Sequence, residues 1–131
     1  MLERELLRSV AWPSADELVA LEELVAALER ALAEQDTRAW LDRHREFFQT
    51  LFGLSPEKLL VREVLRLIGL TDRYRALAPE VLPSAERYVI QERHLLTALA
   101  KRDRRRLLAL FERDRRRIEQ GVEKALRERG L

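Results

Sequence analysis

The sequence of 131 residues contains no cysteine and no asparagine, and it has only four glycines. The lack of cysteine excludes disulfide bonds, thiolate catalysis and cysteine-based zinc sites. The few glycines form no loop that could cradle a phosphate, and neither a Gly-x-Gly-x-x-Gly motif nor a Walker motif occurs. The common glycine-loop modes of nucleotide binding are therefore excluded.

Long apolar runs are also missing. No stretch approaches the roughly 20 residues that a transmembrane helix needs. The charged start, Met1-Leu2-Glu3-Arg4-Glu5, lacks the apolar core of a signal peptide, so a cytoplasmic protein without membrane contact is expected. Apolar residues still make up 47% of the chain, which is enough for one folded domain over residues 1–131.

Charge is unevenly distributed, although the net charge is only +2. Residues 1–50 carry 11 acidic and 6 basic side chains, a balance of −5, so residues 51–131 carry +7. Most of the excess lies in segments 101–106 and 113–117. Aromatic residues that could stack on bases are not interleaved there, and the macrodipole disfavours cations at a helix start. The sequence therefore favours a solvated helix face or an ionic subunit contact over direct DNA binding.

Helical periodicity and helix caps predict an all-α fold, an antiparallel bundle of about six helices. No strand-like alternation competes with this prediction, and Pro79 and Pro83 bracket the one irregular connection of any length. The first three predicted helices span residues 2–10, run from the capping box at Ser14 to about Ala33, and span residues 37–52 after the cap Asp36. The fourth starts at Ser55-Pro56, with serine as the cap and proline as the first helical residue. The fifth runs from the cap Ser84 to about Ala100, and the last from the cap Asp103 to about Arg129.

Three ionisable side chains, His44, Glu92 and Asp114, lie where the spacing calls for a buried apolar residue. Each interrupts the apolar stripe of a different predicted helix. A buried charge is costly unless it meets a partner, a metal or a ligand. We therefore expect the three to converge on a polar site inside the bundle. That site is either a metal or ligand site, or a metal-free cluster in which they bond one another or arginines.

The chain contains four segments with a distinctive order and spacing, Pro13–Glu29, Asp36–Phe48, Gln91–Leu99 and Arg102–Asp114. Their order resembles the FCD domain, the all-helical effector-binding and dimerisation domain of GntR-family bacterial transcription regulators. The resemblance covers nearly the whole chain and implies a ligand sensor that forms homodimers and is not an enzyme. A broad apolar surface on the first two helices would be the dimer interface or, equally well, the core of a monomer.

That family commonly binds a divalent metal through one aspartate and three histidines, and the metal helps to hold carboxylate effectors. The matching positions here are His44, Phe48, Glu92 and Asp114, so none carries the usual ligand type. Phe48 cannot bind a metal, whereas the other three can, and we expect either one divalent ion (zinc, manganese or nickel) or no cofactor. His94 lies two residues from the matching position, about 200° around the helix, and is expected to point away.

Without a metal, a carboxylate effector needs another anchor. Thr71 and Arg75 follow Val64 and Leu67 at helical spacing, so we expect them to line the cavity together with Phe48. Arginine suits this role because its planar fork can bond both oxygens of a carboxylate.

GntR-family regulators carry a winged helix-turn-helix before the FCD domain, and this chain starts at about the first FCD helix. It is therefore either an excised domain or a protein that lacks its own DNA reader. DNA contact is expected only through a winged-helix domain absent from this chain.

The leading hypothesis is a homodimeric sensor of a small carboxylate. The alternative is a stand-alone helical dimer that modulates a partner regulator without sensing. A metal-dependent enzyme with Glu92 or Asp114 as the base is disfavoured, because no nucleophile or set of oxyanion donors is visible.

Overall fold

The chain folds as a set of α-helices in its computed structural model, which describes residues 2–77, 85–128 and 130. Side chains are described throughout these ranges except at residues 2, 3, 71–77, 85–89, 114, 115, 117–119, 121, 122 and 125. No strand occurs in these ranges, which confirms the predicted all-α class. The helices are α1 (Leu2–Ser9), α2 (Ala15–Ala33), α3 (Thr37–Gly53), α4 (Lys58–Leu77), α5 (Ala85–Ala100) and α6 (Arg104–Glu128).

The helices enclose one core in a cyclic order. Helix α2 packs against α3 and α5, α4 packs against α3 and α1, and α6 packs against α1 and α5. Each helix therefore has a neighbour on both sides, in the order α1, α6, α5, α2, α3, α4. None of the described helices is long and apolar enough to cross a bilayer.

The apolar stripes of the first two helices are buried inside this bundle. Leu6 and Leu7 of α1 and Leu21 and Val25 of α2 have no solvent-exposed surface. They belong to one core cluster with Phe47 and residues from the other helices. Of the two roles that the sequence left open for this surface, the structure shows the monomer core, because the short helix α1 is packed between α4 and α6.

Three of the predicted helix caps are present. The Ser14 hydroxyl accepts a hydrogen bond from the backbone amide of Glu17, whose carboxylate accepts one from the Ser14 amide, which completes the capping box. The Asp36 carboxylate caps α3 through the amide of Ala39 at 3.0 Å. The Asp103 carboxylate caps α6 through the amide of Arg106, also at 3.0 Å. The predicted cap Ser84 and the connection around Pro79 and Pro83 lie outside the described residues.

The predicted start of the fourth helix is wrong. Helix α4 begins at Lys58, so Pro56 is not its first residue. The reason is tertiary: Ser55 is fully buried and its hydroxyl contacts the Ser9 hydroxyl of α1 at 2.7 Å. The Ser9 hydroxyl proton is donated to the carbonyl of Leu6, so Ser55 must donate to Ser9. Ser55 in turn accepts from the Glu57 amide at 3.1 Å.

This part-buried hydroxyl pair connects α1 to the α3–α4 corner, and its loss should be measurable. Ser55→Ala removes the donor to Ser9 and the acceptor for the Glu57 amide, so we expect the free energy of unfolding to fall by about 1–3 kcal/mol. Urea denaturation measures the change. The control is Thr97→Ala, which removes an exposed hydroxyl bonded to its own helix and should cost about 0.5 kcal/mol or less. Equal losses in the two variants would contradict this role of Ser55.

The connections between α2 and α3 and between α5 and α6 have the same backbone conformation. Gln35 and Arg102 adopt the left-handed conformation, with φ of 57° and 53°. The following aspartate amides, at Asp36 and Asp103, donate back to carbonyls of the preceding helix at 2.9 and 3.0 Å. This is the Schellman arrangement, in which the left-handed position usually carries glycine. Each aspartate then caps the next helix, so both corners are tight.

Replacing Gln35 by glycine should stabilise the domain. A non-glycine residue in the left-handed region costs about 1–2 kcal/mol, and glycine removes this cost. Part of the benefit is lost again, because glycine gives the unfolded chain more conformational entropy. We therefore expect the free energy of unfolding to rise by up to about 1 kcal/mol, as measured by urea denaturation.

Glu34→Gly is the control, because Glu34 has an ordinary φ of −85°. This variant should lower the free energy of unfolding by about 0.5–1 kcal/mol. A loss in both variants would rule out strain at Gln35.

Candidate functional site

Helix α3 presents a ladder of rings to the bundle interior. Trp40, His44 and Phe48 are spaced by four residues, which puts them on one helix face. The imidazole of His44 stacks on Trp40 with ring centroids 5.0 Å apart and an interplanar angle of 15°. Phe48 meets the imidazole edge-on, also at 5.0 Å. His44 is therefore held between two aromatic rings and is only 3% exposed.

Glu92 of α5 meets His44 in this interior. Its carboxylate oxygen Oε1 accepts a hydrogen bond from Nδ1 of His44, and Glu92 is 1% exposed. When Glu92 is ionised its carboxylate can only accept, and in that state the proton of this hydrogen bond lies on Nδ1. Two ionisable side chains from separate helices thus meet in a place with almost no solvent. The sequence-based expectation that these two stripe interruptions converge agrees with the structure.

The other predicted site residues fall differently. Asp114 belongs to α6, and Thr71 and Arg75 belong to α4, but their side chains lie outside the described residues. Their roles stay predictions. His94 is exposed, as its position two residues after Glu92 led us to expect. Phe48 is half-buried beside His44 and forms an aromatic wall of the site.

The described part of the chain offers few side chains that could bind a divalent metal. No group of three or more histidine, aspartate or glutamate side chains suited to a metal occurs among the described residues. His44 and Glu92 provide two donors, whereas a structural zinc site takes four and a catalytic site three. Their hydrogen bond resembles the one by which a carboxylate orients a metal-binding histidine through Nδ1, leaving Nε2 as the metal-binding atom. By themselves, the two described side chains are therefore too few for a tight metal site, and further ligands would be needed.

Aromatic contacts connect this site to α6. Phe48 stacks on Phe52 with ring centroids 5.8 Å apart, and Phe52 meets Phe111 of α6 edge-on at 6.1 Å. The next residue of α6, Glu112, forms an ion pair with Arg4 of α1. A continuous set of contacts therefore leads from the buried pair to the N-terminal helix.

A second contact fixes α1 at the start of α6. Arg104 donates a hydrogen bond to the backbone carbonyl of Leu7 at 2.5 Å, and its guanidinium lies 4.2 Å from the ring centroid of Trp12. Arg104 thus differs from the solvated arginines expected in segment 101–106, because a tertiary neighbour supplies both a carbonyl and an aromatic face. Periodicity gives no signal for such a contact.

Comparison with known protein families gives a match over most of the chain. The family model described as the FCD domain matches residues 1–123 of the chain. The matched region contains α1 to α5, most of α6 and every predicted site residue. Neither a curated protein nor a solved structure matches the chain.

Proposed function

Because the chain belongs to the FCD-domain family, the effector-binding and oligomerisation domains of GntR-type regulators, we propose that it senses a small organic acid in its bundle core. The resemblance inferred from the sequence is confirmed over residues 1–123. FCD domains are regulatory and not catalytic, and the proposal requires no chemical step.

The buried His44–Glu92 pair carries this proposal. A pair of polar side chains in a core is a poor way to gain stability, because well-packed apolar residues of similar volume often stabilise as much or more. Here the pair lies beside a half-buried aromatic ring, Phe48. His44 and Glu92 also occupy positions that match those of the family's metal ligands. A role in recognition explains why polar groups occupy this position.

The effector would bind through a few polar groups on an apolar wall. Thr71 and Arg75 of α4 are the proposed anchors for its carboxylate, with Phe48 as the apolar contact and the imidazole of His44 as a further hydrogen-bonding group. Arg75 favours a carboxylate ligand, because the two parallel N–H donors of a guanidinium match the two oxygens of a carboxylate.

A metal ion is a separate part of the proposal. His44 would hold a divalent ion through Nε2, with Asp114 as a second ligand. Glu92 would either orient the imidazole or join the ligands after the shared proton has left. When bound, such an ion supplies a positive charge for the acid effector. Binding would release protons and would therefore strengthen as pH rises.

The signal would leave the domain through the dimer and the N-terminal helix. A ligand shifts a conformational equilibrium only by its difference in affinity for the two states. The contacts from Phe48 to Phe111, and from Glu112 to Arg4, give the effector a route to α1. We infer that the effector biases the position of α1, and with it a DNA reader that such a helix would follow.

Thermal unfolding with a panel of small carboxylates, each with and without Zn²⁺, Mn²⁺ or Ni²⁺, tests the proposal. A bound effector at 100-fold above its dissociation constant should add about 2.7 kcal/mol. The double variant His44→Leu/Glu92→Met is the control and should lose the effect. If no acid or metal stabilises the protein, the alternative stands: a helical dimer that acts on a partner regulator without sensing.

A further inference from the structure

We propose that helix α1 is a movable strap that closes the bundle between α4 and α6, and that Arg104 is the residue that holds this strap in place. Undocking of α1 opens a path to the buried His44–Glu92 pair while the other five helices stay folded. This inference rests on the proposed function in one respect, namely that the pair is the site which an acid effector has to reach.

The buried pair is closed to solvent in the structure. His44 is 3% exposed and Glu92 is 1% exposed. The Trp40 ring stacks on the imidazole, and the Phe48 ring meets it edge-on. A small acid cannot pass through a close-packed interior to reach these side chains. Binding at the pair therefore requires that a helix moves.

Helix α1 depends more on its neighbours than the other helices do. It has eight residues, whereas the other five helices have 16 to 25. Helices shorter than about 12–15 residues are marginal in water even with favourable sequences. Helix α1 is therefore helical because it is docked. When it undocks, its backbone regains conformational entropy, which offsets part of the lost apolar burial.

The rest of the bundle stays connected without α1. Helix α1 packs against α4 and α6, and the remaining contacts join α4 to α3, α3 to α2, α2 to α5 and α5 to α6. These five helices form an unbroken series of neighbours. Undocking therefore opens one seam, between α4 and α6. The proposed site residues Thr71 and Arg75 belong to α4, and Asp114 belongs to α6.

The start of α1 lies beside the stretch of α6 that carries the proposed site. The two helices run antiparallel, because Leu7 meets Arg104, whereas Arg4 pairs with Glu112 further along α6. Eight residues advance a helix by about 12 Å, so α1 covers this length of the seam. Asp114 comes two residues after Glu112. The strap therefore reaches the level of the site.

Arg104 holds the other end of α1. Its guanidinium donates to the Leu7 carbonyl at 2.5 Å, in the last turn of α1, where carbonyls have no amide partner within the helix. It also lies 4.2 Å from the ring centroid of Trp12, in the segment that joins α1 to α2. Arg104 is the first residue of α6, where the macrodipole disfavours a cation, whereas the last turn of α1 favours one. A residue that is unfavourable in its own helix and favourable to its neighbour indicates a functional contact.

Labelling of the two histidines with diethyl pyrocarbonate, which acylates accessible imidazoles, tests the strap. Mass spectrometry separates buried His44 from exposed His94, the internal reference. Arg104→Gln should speed the labelling of His44 relative to His94 by about tenfold or more, because the lost hydrogen bond to a charged group shifts the docking equilibrium by that factor. Glu29→Gln is the matched control, since it breaks the contact with Arg93 at the α2–α5 seam and should leave the ratio unchanged.

A disulfide clamp should produce the opposite change. The Ser9 and Ser55 hydroxyl oxygens are 2.7 Å apart, so cysteines at both positions are close enough to form a disulfide, and the chain has no other cysteine. In the Arg104→Gln background, oxidised Ser9→Cys/Ser55→Cys should slow the labelling of His44, and reduction should restore it.

Hydrogen exchange separates local opening from global unfolding. In Arg104→Gln the amides of α1 should exchange faster, while the amides of α3 remain as protected as in the unchanged protein. Labelling of His44 that rises only together with α3 exchange would overturn the strap. So would labelling that is absent throughout, or that responds neither to Arg104→Gln nor to the oxidised clamp.

The strap and the sensor can fail separately. If α1 controls the labelling of His44 but no acid or metal stabilises the protein, the strap stands and only the proposed sensor is overturned. If an acid stabilises the protein but the labelling of His44 ignores both changes, only the strap is overturned.

Discussion

Replacing His44 by leucine is expected to lower the free energy of unfolding by about 3–5 kcal/mol. The change removes the imidazole that donates to the Glu92 carboxylate, in a place where Glu92 is 1% exposed. Leucine cannot donate a hydrogen bond, and water has almost no access to replace it. Urea denaturation at neutral pH measures the loss, which is large against the 5–15 kcal/mol of a typical domain.

The double variant His44→Leu/Glu92→Met separates pairing from packing. When both polar partners become apolar residues of similar volume, the cost of the buried carboxylate disappears, so most of the lost stability should return. The same variant should show no stabilisation by a carboxylate. A single variant that loses less than about 1 kcal/mol, or a double variant that is no more stable than the single one, would show that the buried pair is not coupled as described.

Phe48→His is expected to create zinc binding. The Phe48 ring lies 5.0 Å from the imidazole of His44, one helical turn further along α3. Histidines at i and i+4 on one helix face are a common pair of zinc ligands. With His44 and Glu92 the new imidazole would give up to three donors. At 100-fold above the dissociation constant, Zn²⁺ should then stabilise this variant by about 2.7 kcal/mol relative to the same variant in chelator.

Gln49→His is the matched control for this gain. It adds the same imidazole one residue later, at an exposed position about 100° further around α3. We expect zinc to have no effect on its unfolding temperature. Equal stabilisation of the two variants would mean that zinc binds surface histidines, and no stabilisation of Phe48→His would mean that the pair cannot join a metal site.

Much of the fold was readable from local chemistry. Ser14, Asp36 and Asp103 mark helix starts because their side chains bond free amides a few residues ahead, an interaction that depends only on neighbouring residues. The convergence of His44 and Glu92 followed from the same kind of pattern, since each interrupts an apolar stripe that had to face the core.

Two of the remaining features depend on contacts between distant segments. Ser55 reads locally as a helix cap, but its hydroxyl bonds Ser9, 46 residues away. Arg104 reads as a solvated cation, but it bonds the Leu7 carbonyl and lies against Trp12. The left-handed conformation of Gln35 and Arg102 carries no glycine to signal it. Helical periodicity shows which face is buried, but it does not show which neighbour that face will meet.

The imidazole NMR spectrum gives the most direct test of the central claim, that an effector binds at the buried pair. The chain has two histidines, buried His44 and exposed His94, so one is the reporter and the other an internal control. A carboxylate that raises the unfolding temperature should shift the signals of His44 and leave those of His94 unchanged. A stabilising acid that leaves His44 unchanged would place the effector elsewhere and contradict the account.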